Sequence, residues 1–346
     1  MGGGALTGEA VRRLLVLTLA ALLAAPGAAL AWGATGHRII GELAVRNLPK
    51  GELPAFLARR AAIADVGELS REPDRSRGAG KLHDSDRDPA HQVNLDDEGR
   101  LEGGPPLKPM PPTRADYEAA LRAAGGDSWK AGYLQYAIVD RYQQLTTDFA
   151  FWRALDAAER NRAWRTHRAW FKADKARREG LILRTLGELS HFVGDGSEPL
   201  HVTIHYNGWG AYPNPAGFTT QKIHAAFEGA MVRAGVTEAM VAARMKPFRT
   251  CGCPIEARAV DFLLASDAQV APLYEMEKAG GMAAGDPRGP AFAAERIAEG
   301  ASELRDLIVE AWRASEDRAI GYKPSVRPRD VEAGKADPYD SFYSAD

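Results

Sequence analysis

Leu189-Ser190-His191-Phe192-Val193-Gly194-Asp195-Gly196-Ser197-Glu198-Pro199-Leu200-His201 is the stretch on which the reading of this chain turns. Upstream, Ile182, Leu186, Leu189 and Val193 recur at helical spacing, which predicts an amphipathic helix running into it. On that helix His191 and Asp195 stand four residues apart, one above the other on the same face. Gly194, Gly196 and Pro199 are expected to end the helix, so that His201 arrives just past the break. Neutral imidazole and ionised carboxylate suit zinc, and a catalytic zinc site keeps one position open for water.

Composition sets the outer bounds. The 346 residues are 45% hydrophobic and 26% charged, with a formal net charge of −2, as in an ordinary soluble globular chain. That charge excludes a basic field of the kind that drives broad duplex binding. Bound metal ions could still supply local positive charge to a nucleic acid substrate. Residues 1–31 read as an export signal. Arg12 and Arg13 precede an apolar run from Leu14 to Leu23, too short to span a bilayer, and Ala29-Leu30-Ala31 fits the small-x-small cleavage rule. The expected mature chain starts at Trp32 and is exported, with no stable membrane insertion and no evident protein partner. Cys251 and Cys253, with one residue between them, read either as a structural pair or as an exposed, redox-labile one.

Beyond the signal the patterning is helical throughout, so the expected architecture is mainly α. A single compact domain (32–321) would carry long loops around a metal cleft, followed by a polar tail (322–346), draped or disordered. Helical patterns begin directly after His37, run from Arg114 to Leu189 with breaks near Gly125-Gly126 and Gly180, and recur at roughly 219–245, 255–279 and 290–318. Arg71 to Arg100 reads as a polar excursion, and Tyr206 to Phe218 as a loop of Gly, Pro, Asn and aromatics.

Further ligand types stand along the same chain. His224 and Glu228 form a second imidazole–carboxylate pair at helical spacing, and His37, His91 and Asp74 add two imidazoles and a carboxylate. This ordered set resembles the zinc-dependent phospholipase C and fungal single-strand nuclease family. The resemblance rests on Trp32-Gly33-x-x-Gly36-His37, on His191-Phe192-Val193-Gly194-Asp195 with Pro199-Leu200-His201, and on His224-Ala225-Ala226-Phe227-Glu228. It implies three zinc ions. Asp74, His91, His191 and Asp195 would hold the first, and His201, His224 and Glu228 the second. The α-amino and carbonyl groups of Trp32, with His37 and Asp195, would hold the third. Removal of the leader would then free the amine that completes the centre. The implied activity is phosphodiester hydrolysis by zinc-activated hydroxide, with Asp74 and Asp195 as the catalytic carboxylates.

Asp65 competes with Asp74 for the first position, but Asp74 lies nearer the usual distance before His91. Among the remaining histidines, His83 and His167 have no motif support, and His205 is read as a surface residue with a substrate contact as the alternative. Gln92, Asn94, Trp209 and Tyr212 are the candidate substrate contacts, with Phe218 in the same aromatic loop; for the three rings, packing within the loop is the alternative to base stacking. Two features point in different directions. Gln92 stands where the family's nucleases carry a stacking aromatic, and Glu228 is the residue of the bacterial phospholipases; the opening motif and Val93-Asn94 are nuclease-like. The expected substrate is single-stranded nucleic acid, with a phospholipid head group as the alternative and a non-catalytic, zinc-stabilised protein as the third reading.

Overall fold

The computed structural model describes residues 32–102 and 104–343; the expected export segment lies outside the described residues. The protein is a compact, mainly helical single domain, and its described residues contain isolated bridges but no extended strand. Eight helices carry the architecture: α1 (Gly33–Arg46), α2 (Arg60–Leu69), α3 (Arg114–Ala123), α4 (Leu134–Arg160), α5 (Arg168–Ser197), α6 (Ile255–Asp267), α7 (Val270–Lys278) and α8 (Arg288–Ala314). No helix among the described residues is long and apolar enough to cross a membrane.

The hairpin of α4 and α5 is the spine. Its connector is opened by Asn161, whose side chain accepts from the Ala163 amide. α1, α2 and α8 pack on α5, while α6 packs on α4. The two ends of α5 differ sharply: its first half presents ion-paired Arg and Lys to solvent, whereas every residue from 189 to 197 is buried. Ile182, Leu186, Leu189 and Val193, the expected apolar face, are all fully buried. Burial of each stabilises the fold by about 1.5–3 kcal/mol.

Gly194 and Gly196 do not end this helix, contrary to the sequence expectation. α5 runs through both to Ser197, and the chain turns extended only at Glu198, ahead of Pro199. Their smallness serves packing instead. A Cβ on Gly194 would lie 2.8 Å from His37 Nδ1, and one on Gly196 2.9 Å from Phe262. Gly187 does the same for α2, where a Cβ would fall 2.5 Å from that of Leu69. Gly180 likewise lies inside α5; the break between the long helices falls at residues 161–167.

Other boundaries also moved. The expected helix over 219–245 starts only at His224, carries a π-helical segment Ala226–Met231 and is broken at Val236 and Thr237 before a last turn, Glu238–Ala242. The one over 255–279 is interrupted at Ala268 and Gln269. The tail is draped: Val326 and Val331 are buried against Ala150, Leu155 and Phe171 of the hairpin. Cys251 and Cys253 form a disulfide on the surface.

Candidate metal centre

The buried end of α5 faces four other segments, each contributing ligand-type side chains. His37 comes from the first turns of α1, and Asp74 from the turn Glu72–Arg75 that follows α2. His91 closes the 3-10 turn Asp88–His91, and His201 the turn Pro199–His201. Glu228 lies on the π-helical segment and His224 on the helical residues just before it; a π-helix is a wide local geometry that recurs at functional sites. The His91 and His201 segments run side by side, with the Val93 amide donating to the His201 carbonyl at 2.9 Å.

Three groups result, each with ligand atoms within 4.8 Å of one another: Asp74–His91–His191, His37–His191–Asp195 and Glu198–His201–His224–Glu228. These buried groups could hold metal ions. Asp195, fully buried, stands between the first two. Its Oδ1 is 3.5 Å from His37 Nε2, and its Oδ2 is 3.1 Å from His91 Nδ1 and 3.3 Å from His191 Nε2. Asp74 Oδ1 is 4.0 Å from His91 Nδ1, while Arg77 approaches it from the rim at 3.6 Å. Asp65 is exposed on α2, so Asp74 is the carboxylate brought to the centre.

Two imidazoles are oriented by main chain. His191 Nδ1 donates to the Ser70 carbonyl at 2.8 Å, and His201 Nδ1 to the His91 carbonyl at 2.6 Å. His201 turns Nε2 toward the carboxylates of Glu228 and Glu198, and His191 Nε2 lies between Asp195 Oδ2 at 3.3 Å and His91 Nδ1 at 2.9 Å; a main-chain bond at the far nitrogen is how proteins fix the tautomer of a metal ligand. The aimed atoms are unsatisfied: Asp195 Oδ1, both carboxylate oxygens of Glu198 and Glu228, and Nε2 of His37, His201 and His224 are buried without a hydrogen-bond partner. Buried polar atoms are nearly always partnered, and a cation would partner all of these together.

The electrostatics carry the same imprint. Burial is the largest influence on every shifted group here and opposes charge. It prevails at His37, whose pKa falls to about 3 with help from neighbouring His191, and at His91, which is also lowered. At Asp195 burial is outweighed by His191 and His91, and the carboxyl is held well below its usual range. At His201 the carboxylates Glu228, Asp195 and Glu198 outweigh it and push the imidazole up to about 10. Glu198 itself is raised by burial to about 7 despite His224 and His201.

Trp32 is buried, and its indole donates to the Gly194 carbonyl at 2.9 Å and to Ser197 Oγ at 3.0 Å, so the residue is pinned to the turn that carries Asp195. The expected substrate contacts fare differently. Asn94 is buried and donates to the Lys130 carbonyl at 2.6 Å, holding its loop rather than facing outward. Trp209 is covered: His205 stacks on it at 3.7 Å, and Tyr274 and Phe218 close its edges. His205 is therefore not a surface residue. It is buried, bonded to the Trp209 carbonyl and to Asp97. Gln92 is half-buried, and Tyr212 remains partly exposed.

Glu198 is the residue sequence reasoning missed; its position three before His201 was the available signal. No protein-family model matches this chain, and no match is found among curated proteins.

Proposed function

We propose that this protein is an exported zinc-dependent phosphodiesterase whose substrate is single-stranded DNA or RNA. One observation carries the reading: three imidazole–carboxylate groups gather at the buried end of α5, and many of their buried ligand atoms have no hydrogen-bond partner. The donor set is all nitrogen and carboxylate oxygen, as suits zinc, and it matches the resemblance motif by motif. Bound zinc would supply Lewis acidity towards a phosphoryl oxygen and lower the pKa of water from 15.7 to about 7.

The chain's own residues do the rest. Asp195 faces three imidazoles at once, His37 through Oδ1 and His91 and His191 through Oδ2, while His37 stacks on His191 at 4.2 Å. Asp74, with its side chain 11% exposed, is the carboxylate of the set nearest the outside and is placed to orient water or take up its proton. Tyr206 and Tyr212, about half and two-fifths exposed on the loop after His201, offer ring faces for base stacking. Leu82, 91% exposed between Asp74 and His91, instead favours a lipid contact, and it keeps a phospholipase C as the second reading.

The test is hydrolysis of single-stranded DNA against phosphatidylcholine vesicles, by the exported full-chain product in one zinc-containing buffer. DNA cleavage without lipid turnover supports the nuclease; the reverse moves the protein to the phospholipases. Turnover of neither substrate by a zinc-loaded protein leaves the non-catalytic reading.

A further inference from the structure

Glu198 is the one carboxylate of the centre outside the ligand set that the sequence implied. It is fully buried, and neither of its oxygens has a hydrogen-bond partner. It is also held rigidly: its amide donates to the Asp195 carbonyl and its carbonyl accepts from the His201 amide, both at 3.0 Å, with Pro199 between. The turn that delivers His201 therefore delivers Glu198 to the same point.

Resting on the reading of this centre as zinc-binding, we infer that the second ion is held by four protein ligands: Glu198, His201, His224 and Glu228. The edges of the group support it. His224 Nε2 lies 2.9 Å from Glu228 Oε2 and 3.5 Å from Glu198 Oε2; His201 Nε2 lies 3.6 Å and 4.0 Å from the same two atoms. These bracket the edge of about 3.3 Å expected for a tetrahedron of ligands about 2.0–2.1 Å from zinc. Four ligands close the coordination sphere, and two carboxylates cancel the ion's charge, as in a retained, structural ion. The second site thus ties the end of α5 to the π-helical turn, and substrate and water meet the ions on the Asp74, His91 and His37 side.

Glu198→Gln keeps volume and hydrogen bonding but loses the charge. Chelator competition on the full-chain product should show one ion of the Glu198→Gln protein held at least tenfold more weakly than in the wild type, with the others changed less. Cobalt(II) added as one equivalent to the metal-free wild type should give an intense tetrahedral spectrum unmoved by azide, which needs an open position. That measurement needs no variant to fold. Equal affinities and stoichiometry in both proteins, or an azide-sensitive first equivalent, would overturn the four-ligand site while leaving the metal centre standing. A wild-type protein that binds no ion would overturn both.

Discussion

Two clusters of charged side chains are withdrawn from water in this fold, and they are balanced in different ways. Where α6 meets α8, Arg258 forks onto Glu303 at 2.6 and 2.9 Å and reaches Glu310 at 2.7 Å. Arg305 pairs with Asp306 at 2.7 Å and donates again to the Lys246 carbonyl. There each carboxylate has a guanidinium. At the end of α5, Asp195, Glu198 and Glu228 meet only imidazoles, and Asp195 Oδ1 and both oxygens of Glu198 and of Glu228 stay buried without a hydrogen-bond partner. Both clusters carry the desolvation cost of buried charge. Only the first recovers it from within the chain, so the second is the one built for a ligand from outside.

Asp195→Asn attacks the second cluster at its hub and should have the largest effect. Phosphodiesterase activity should fall by more than about a hundredfold with loss of bound zinc, read by turnover and metal analysis. Arg258→Ala should leave zinc content unchanged while costing about 3 kcal/mol of stability, because it strands Glu303 and Glu310; equal zinc loss in both variants would erase the contrast. Chelation should discriminate next. Each ion present at a hundredfold excess over its Kd adds about 2.7 kcal/mol to stability, so a chelator should lower the melting temperature of the wild type and of Arg258→Ala alike.

Acidity offers a finer probe. In the metal-free protein His201 holds its proton to about pH 10, against 6.5 unfolded. Its contribution to stability is complete below pH 6.5 and is lost as the pH rises towards 10. A bound ion replaces that proton. Urea midpoints measured at pH 7 and 9 should therefore fall in the metal-free protein, and fall less once zinc is added. The smallest effect concerns substrate. Tyr212→Ala should raise KM for single-stranded DNA by an amount equivalent to about 1 kcal/mol. Trp209→Ala should instead cost stability of about 3 kcal/mol, since its ring faces are already covered.

Local periodicity made much of this legible. The α4–α5 region, the face bearing Ile182, Leu186, Leu189 and Val193, and the facing pairs His191/Asp195 and His224/Glu228 all follow from spacing along one helix. What spacing cannot carry is contact between elements. Gly194 and Gly196 read as a stop because glycine is a poor helix former; His37 and Phe262 leave no room for a side chain there, and that is visible only across helices. Glu198 went unread because its place in the centre is set by partners at positions 224 and 228. His205 misled for the same reason, and Trp209 took the packing alternative, as their loop folds onto Tyr274 rather than outward.

The hydrogen bond from His201 Nδ1 to the His91 carbonyl has a thermodynamic consequence. His91 belongs to one ligand group by its ring and steadies another by its main chain, so whatever fixes the first also readies the second. Sites connected in this way exchange free energy reciprocally. Filling of the second group should accordingly ready the first, and the Val93 amide, which donates to the His201 carbonyl, should exchange more slowly once one equivalent of zinc is bound.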